Sequence, residues 1–79
     1  MKIKQIDGQW FYQTTTWTLL DEPSAFTKQR CAMFRLGQKD RKSGKGCAES
    51  WGSYLDGWYN PELETPPYVS EAQAKAFNL

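Results

Sequence analysis

A short stretch near the start of the chain has a clear local pattern, Ile3-Lys4-Gln5-Ile6-Asp7-Gly8-Gln9-Trp10-Phe11-Tyr12. Two runs of strand-forming residues flank an Asp-Gly pair, and this pair tolerates the positive φ angles that a two-residue hairpin turn requires. The pattern predicts a β-hairpin whose first strand is Ile3 to Ile6 and whose second strand runs from Gln9 to Leu20. An antiparallel sheet is therefore the starting point of the predicted fold.

The second strand of this hairpin carries large residues on both of its faces. It is rich in aromatic and β-branched residues, which favour the pleated conformation. In strict alternation Phe11 and Leu19 lie on one face, whereas Trp10, Tyr12 and Leu20 lie on the other. The alternation alone leaves open which rings belong to the core.

The segment that follows has two interpretations. Pro23 ends the strand, because proline cannot donate to a ladder of backbone hydrogen bonds. From Arg30 to Leu36 apolar residues alternate as they do in a strand, yet a helix that opens near Pro23 with Asp21 as its cap fits the same residues. We adopt the strand, which makes Arg30 to Leu36 the third strand, and interpret Gln38 to Gly46 as a polar loop.

A middle helix is predicted from residues that recur at helical spacing, namely Ala48, Trp51, Leu55 and Trp58. Gly57 is placed where a glycine can end such a helix. Residues 60–68 contain three of the four prolines and are predicted to form an extended connector.

The last segment carries a clear helix start. Ser70 and Gln73 have the spacing of a capping box, in which each side chain bonds the other's backbone amide. The helix that begins there is too short to be stable alone in water. We therefore expect it to dock on the sheet through Ala72, Ala76 and Phe77.

The length and composition favour one small folded domain. Seventy-nine residues form a single core, and 15% of them are aromatic, so a few rings supply much of the buried area. We predict one α+β domain over residues 1–79, with a small antiparallel sheet of about three strands, a middle helix and a short C-terminal helix.

Catalytic, metal and cofactor chemistry find little support in this sequence. The chain has no histidine, the side chain most often used for proton transfer near neutral pH. Glu62 and Glu64 lie in the proline-rich connector, where carboxylates are poorly preorganised. Cys31 and Cys47 lack the close spacing and the further ligands of a zinc site. We expect no enzyme activity, no metal, no cofactor and no small-molecule substrate, and two thiols that pack as buried or half-buried apolar groups.

The sequence also lacks the signals of export. The first residues include no apolar run long enough for a signal peptide, and no stretch approaches a membrane span. We therefore expect a cytoplasmic protein with reduced thiols and no membrane partner.

Charge is distributed unevenly along the chain. Residues 28–45 carry a formal charge of +6, whereas residues 1–27 carry −1 and residues 46–79 carry −4. A basic segment of this kind attracts acidic or phosphate-bearing surfaces. Its alternative interpretation is a solvated turn whose charges keep the protein soluble.

Two binding functions are consistent with these sequence patterns. In the first, the domain binds a protein, since Trp, Tyr and Arg dominate interface hot spots and charge selects the partner. The residues assigned to this contact are Lys39, Arg41, Lys42, Lys45, Trp58, Tyr59 and Tyr68. In the second, the domain binds single-stranded nucleic acid by stacking bases on sheet aromatics. The residues assigned to that contact are Trp10, Tyr12, Arg30 and Arg35.

The acidic C-terminal part favours the protein partner, because nucleic-acid-binding domains are usually basic overall. Small non-catalytic domains of this kind are common among accessory proteins of phages and mobile elements. We therefore expect an adaptor or inhibitor that occupies a surface of a host protein complex.

Overall fold

The computed structural model describes residues 2–47, 49–50 and 52–79. Three strands precede three helices in this part of the chain, in the order β1 (Ile3–Ile6), β2 (Gln9–Gln13), β3 (Trp17–Leu19), α1 (Ala25–Lys42), α2 (Gly52–Tyr59) and α3 (Glu71–Phe77). The strands form one antiparallel sheet in the order β1-β2-β3. The predicted α+β class with a small three-stranded sheet is confirmed.

The first hairpin has the predicted turn. Asp7 and Gly8 adopt φ angles of 50° and 79°, as a two-residue turn of this type requires. Ile6 pairs with Gln9 and Ile3 with Tyr12, so the register follows directly from the turn.

The predicted second strand from Gln9 to Leu20 is wrong, because the chain folds back within it. β2 ends at Gln13, and β3 returns from Trp17 so that Gln13 pairs with Trp17 and Phe11 with Leu19. A single strand of that length would exceed the usual limit of about ten residues. Folding back instead supplies the third strand of the sheet.

The predicted strand from Arg30 to Leu36 is also wrong, since these residues lie inside α1. Ser24, rather than Asp21, caps this helix by accepting a hydrogen bond from the Thr27 amide at 3.2 Å. Cys31 and Phe34 are completely buried on one side of the helix. Their spacing of three residues follows the helical period, which the apparent alternation had obscured.

The predicted polar loop from Gln38 to Gly46 begins too early. α1 continues to Lys42, and both Gln38 and Asp40 are only 6% exposed. These two polar side chains are buried because the loop and helix that pack against them supply hydrogen-bonding partners.

Helices α1 and α2 cross at two glycines. A Cβ atom on Gly37 would overlap the backbone carbonyl of Tyr54, and one on Gly57 would overlap that of Phe34. Gly57 therefore does not end α2, which continues to Tyr59, but permits the close approach of the two backbones. Ala48 and Trp51, which belonged to the predicted helical stripe, lie outside the described residues.

The connector over residues 60–68 contains no strand, but it is not extended. It makes turns at residues 61–62 and 67–68, and Pro66 is completely buried. The ring of Tyr68 packs edge-on against Phe34, with centroids 6.0 Å apart. The connector that contains these prolines thus folds back onto α1 and does not extend away from it.

Helix α3 begins and docks as predicted. The Gln73 amide donates to Ser70 Oγ at 3.1 Å, and the Ser70 amide donates to Gln73 Oε1 at 3.0 Å. Phe77 meets the Trp10 ring of β2 edge-on at 6.2 Å, and Ala72 is buried. The sheet therefore packs against α3 with the face that carries Trp10.

The molecule is elongated, with extents of 43 × 22 × 15 Å. Its radius of gyration is 14.3 Å, against about 12 Å for a compact chain of this length. Among the described residues, no helix has the length and apolar character needed to cross a membrane. The elongated shape leaves several large apolar side chains at the surface.

Candidate protein-binding surface

The C-terminal end of α1 carries a group of cations that we call the basic end, formed by Lys39, Arg41, Lys42 and Lys45. The first three lie in the last turn of the helix, where positive charge stabilises the helix dipole. Within residues 2–47, 49–50 and 52–79, the ion pairs join Lys28 to Glu22 and Lys75 to Glu71. The basic end thus has no carboxylate partner in the described part of the chain.

Asp40, which lies between Lys39 and Arg41 in the sequence, does not neutralise the positive charge of the basic end at the surface. Asp40 is buried, and its Oδ2 accepts a hydrogen bond from the Tyr54 hydroxyl at 2.6 Å. The carboxylate is therefore used to hold α1 against α2. The neighbouring cations Lys39, Arg41 and Lys42 are exposed.

The end of α2 carries two aromatic residues, and the first of them, Trp58, lies next to the basic end. Trp58 is half-buried, stacks on Tyr54 with centroids 6.4 Å apart, and has the Arg41 guanidinium 5.4 Å from its ring centroid. Tyr59 follows it and is 72% exposed. The structure thus brings Arg41 of the basic end into contact with Trp58, and we call the basic end together with Trp58 and its neighbour Tyr59 the basic–aromatic surface.

Tyr68, the seventh residue, lies apart from the other six, and its side chain makes contacts that hold the fold together. Its hydroxyl donates to Asp56 Oδ2 at 2.5 Å, and the Arg30 guanidinium lies 4.0 Å from its ring centroid. Burial, followed by the hydrogen bond to Asp56, raises the pKa of Tyr68 above its ordinary value of 10.0. The side chain joins the connector to both helices and is not part of the basic–aromatic surface.

The sheet aromatics assigned to nucleic-acid binding face the inside of the protein. Trp10 packs on Phe77, and Tyr12 lines a cleft of about 280 Å³ beside Leu20 and Ala72. Both rings are half-buried between the sheet and α3. A base that stacked on either ring would therefore have to enter the space between the sheet and α3.

The two arginines of the same hypothesis are engaged in holding the fold. Arg35 donates to the main-chain oxygens of Leu63, Glu64 and Leu79 at 3.5, 2.6 and 3.0 Å. It also donates to Gln38 Oε1 at 3.0 Å. Arg30 stacks on Tyr68, as described above. A phosphate would have to compete with these contacts for either guanidinium.

A second exposed surface was missed by the sequence analysis. Ile6, Phe11, Trp17 and Leu19 lie on the side of the sheet that faces away from α3, and we call this the outer sheet face. Ile6 is 44% exposed and Leu19 49%, and Lys4 Nζ lies 4.0 Å from the Trp17 ring centroid. Alternation did place Phe11 with Leu19. Alternation also puts Trp17 on that face, but its place on a third strand beside β2 depends on the unanticipated turn at residues 14–16.

The two thiols differ in their environments. Cys31 is completely buried, and burial raises the pKa of its thiol although Arg35 and Arg30 act in the opposite direction. Cys47 is exposed, so the expectation of a buried or half-buried thiol is wrong there, because it lies beyond α1 in a glycine-containing loop. Among the described residues, no cluster of three Cys, Asp or Glu side chains is arranged to hold a metal ion.

We found no significant match to this chain among protein-family models, curated proteins or solved structures.

Proposed function

We propose that this protein is a non-catalytic binding module, an adaptor or inhibitor that occupies a surface of a host protein complex in the cytoplasm. The observation that carries the proposal is the basic–aromatic surface, in which four cations have no carboxylate partner in the described chain and one of them, Arg41, lies over the ring of Trp58 at 5.4 Å. Cations and aromatic rings of this kind attract and anchor an acidic protein surface.

The surface is held in a fixed shape before any partner arrives. Trp58 rests on the buried ring of Tyr54, and Arg41 lies over Trp58 at 5.4 Å. The glycine crossing fixes α2 against the last turns of α1. A preorganised surface loses less conformational entropy on binding, which favours affinity.

Single-stranded nucleic acid is the competing partner, and one observation favours it. Phe11 and Trp17 lie on the outer sheet face together with Lys4, an arrangement that suits base stacking and phosphate contact. We rank it second because residues 46–79 carry a formal charge of −4, which repels a polyanion.

The test compares two exposed rings at opposite ends of the helical part. Tyr59→Ala removes the ring of the basic–aromatic surface, whereas Phe26→Ala removes a ring that is 69% exposed in the first turn of α1. We expect cross-linking in a bacterial lysate, read by mass spectrometry, to recover a defined partner with the wild type and with Phe26→Ala. Loss of that partner with Tyr59→Ala alone supports the proposal, and equal recovery by all three contradicts it.

A second measurement separates the protein partner from nucleic acid. Reversal of the four cations of the basic end to glutamate should slow association with the recovered partner at least about ten-fold, because such charges act mainly on the association rate. Binding to a fluorescent single-stranded oligonucleotide should be weak in the wild type. Tight oligonucleotide binding that falls steeply with salt and is lost in Trp17→Ala would replace the proposed function with the nucleic-acid one.

A further inference from the structure

β3 forms an open edge of the sheet. It pairs with β2 on one side, and all three of its residues, Trp17, Thr18 and Leu19, are exposed. Natural sheets protect such edges by keeping them very short, or with charges, prolines, bulges or a covering segment, and β3 has only its shortness of three residues. The opposite edge, β1, carries Lys4 and has α3 packed beside it. β3 has neither a charge nor a proline.

The hydrogen-bonding groups of this edge point outward in a defined pattern. The Leu20 amide donates to the Trp10 carbonyl at 2.7 Å, and hydrogen-bonded pairs alternate with non-hydrogen-bonded pairs in an antiparallel ladder. Thr18 therefore exchanges its hydrogen bonds with Tyr12, its partner in the register. The backbone N–H and C=O groups of Trp17 and Leu19 consequently point away from β2.

We propose that β3 pairs antiparallel with β3 of a second copy of this chain, with Thr18 on the two-fold axis. In this register Trp17 of each copy lies opposite Leu19 of the other, and their outward groups form four backbone hydrogen bonds. The arrangement is isologous, the form that most homodimers adopt. It joins two three-stranded sheets into one sheet of six strands.

Charge and side-chain chemistry favour a second copy as the occupant. No charged residues oppose each other along the paired β3 strands, and Thr18 meets the same residue of the second copy, a favourable cross-strand pair. On the outer sheet face, Trp17 and Leu19 are 36% and 49% exposed and become neighbours across the contact. The contact is short, so the dimer is weak and reversible.

The test is sedimentation velocity of the full chain at concentrations from micromolar to millimolar. The wild type should pass from monomer to dimer as its concentration rises. Thr18→Lys places two like charges opposite each other and should weaken dimerisation about ten-fold or more, whereas Thr18→Val should leave it intact. Thermal melting of the dilute variants establishes that both still fold.

A further variant distinguishes edge pairing from stacking of the outer faces. Ile6→Lys adds a charge to the outer sheet face at the far strand, away from β3. We expect it to leave the dimer unchanged. A wild type that stays monomeric at every concentration overturns the proposal, as does a dimer that Thr18→Lys spares and Ile6→Lys dissolves.

If Thr18→Lys does not fold, hydrogen exchange of the wild type gives the same answer. The amides of Trp17 and Leu19 should become protected as concentration rises through the dimerisation range. Equal exchange rates for these two amides at low and high concentration would overturn the proposal. β3 shares no residue with the basic–aromatic surface, so loss of the dimer would leave the proposed function untouched, and the reverse.

Discussion

The α1–α2 crossing and the sheet differ in how completely they bury their residues. The crossing encloses Cys31, Phe34 and Tyr54 completely, with two helix backbones in contact at glycines. The sheet is covered on one side only, and Leu20, just beyond β3, is buried beside it. The difference indicates that the crossing is the scaffold, whereas the sheet supplies open surface to the molecule.

Polar contacts reinforce this division. Gln38 donates to the main-chain oxygens of Asn60 and Leu63 at 2.9 and 2.7 Å, so the connector is tied to α1. Among the described residues, no buried side-chain nitrogen or oxygen lacks a hydrogen-bonding partner. A fully satisfied network inside the crossing favours one rigid arrangement of the helices.

The largest expected effect comes from the glycines of the crossing. Gly37→Ala or Gly57→Ala places a methyl group against the backbone of the facing helix, and backbone cannot move aside as a flexible side chain can. We expect each variant to lose about 3 kcal/mol or more of unfolding free energy, or not to fold, as measured by urea denaturation.

Gly52→Ala is the matched control. Gly52 is the first residue of α2, and a Cβ atom there would meet nothing within 4 Å. Alanine has a higher helix propensity, so this variant should be as stable as the wild type or more stable by up to about 1 kcal/mol. Equal stability of all three alanine variants would show that the helices do not cross at the glycines.

A smaller effect is expected where α3 docks on the sheet. Phe77→Ala removes the edge-on contact with Trp10 from a half-buried position. We expect a loss of about 1–2 kcal/mol and a lower melting temperature, less than a fully buried phenylalanine costs. Phe26→Ala, at a side chain that is 69% exposed, should leave melting unchanged. Identical melting of both variants would mean that α3 does not stabilise the sheet.

The smallest expected effect is on the reactivity of the two thiols and not on the stability of the fold. Cys31 lies inside the crossing with the pKa of its thiol raised by burial, whereas Cys47 is exposed. Because the thiolate is the reactive form, native protein should react with a thiol reagent at one fast site, and Cys47→Ser should remove that phase. Two equally fast thiols in the native protein would contradict the buried position of Cys31.

Local signals in the sequence were sufficient for the ends of the fold. The Asp7-Gly8 turn and the capping box of Ser70 and Gln73 depend on neighbouring residues, and both were predicted correctly. The segment around Phe34 was not, because alternation and helical spacing both fit it. Its helix is fixed by the crossing at Gly37, a contact with a segment distant in sequence.

The residues of the candidate site likewise differ in how far the sequence alone determines their position. Charge is visible in the sequence, so the basic end could be located from composition, whereas the exposure of Tyr59 could be read only from the structure. Tyr68 was assigned to the surface, although the connector folds back and packs it against Phe34. The outer sheet face depends on where the chain reverses between Gln13 and Trp17, and three consecutive threonines gave no turn signal.

Native-state hydrogen exchange of the dilute, monomeric protein tests the comparison between crossing and sheet most directly. The amides of Phe34 and Gln38 lie in the middle of α1 at the crossing and should exchange only through global unfolding. The Thr18 amide, in the short edge strand, should exchange faster through local opening. Protection of Thr18 equal to that of Phe34 and Gln38 would show that the sheet and the crossing unfold as one unit and would contradict the account.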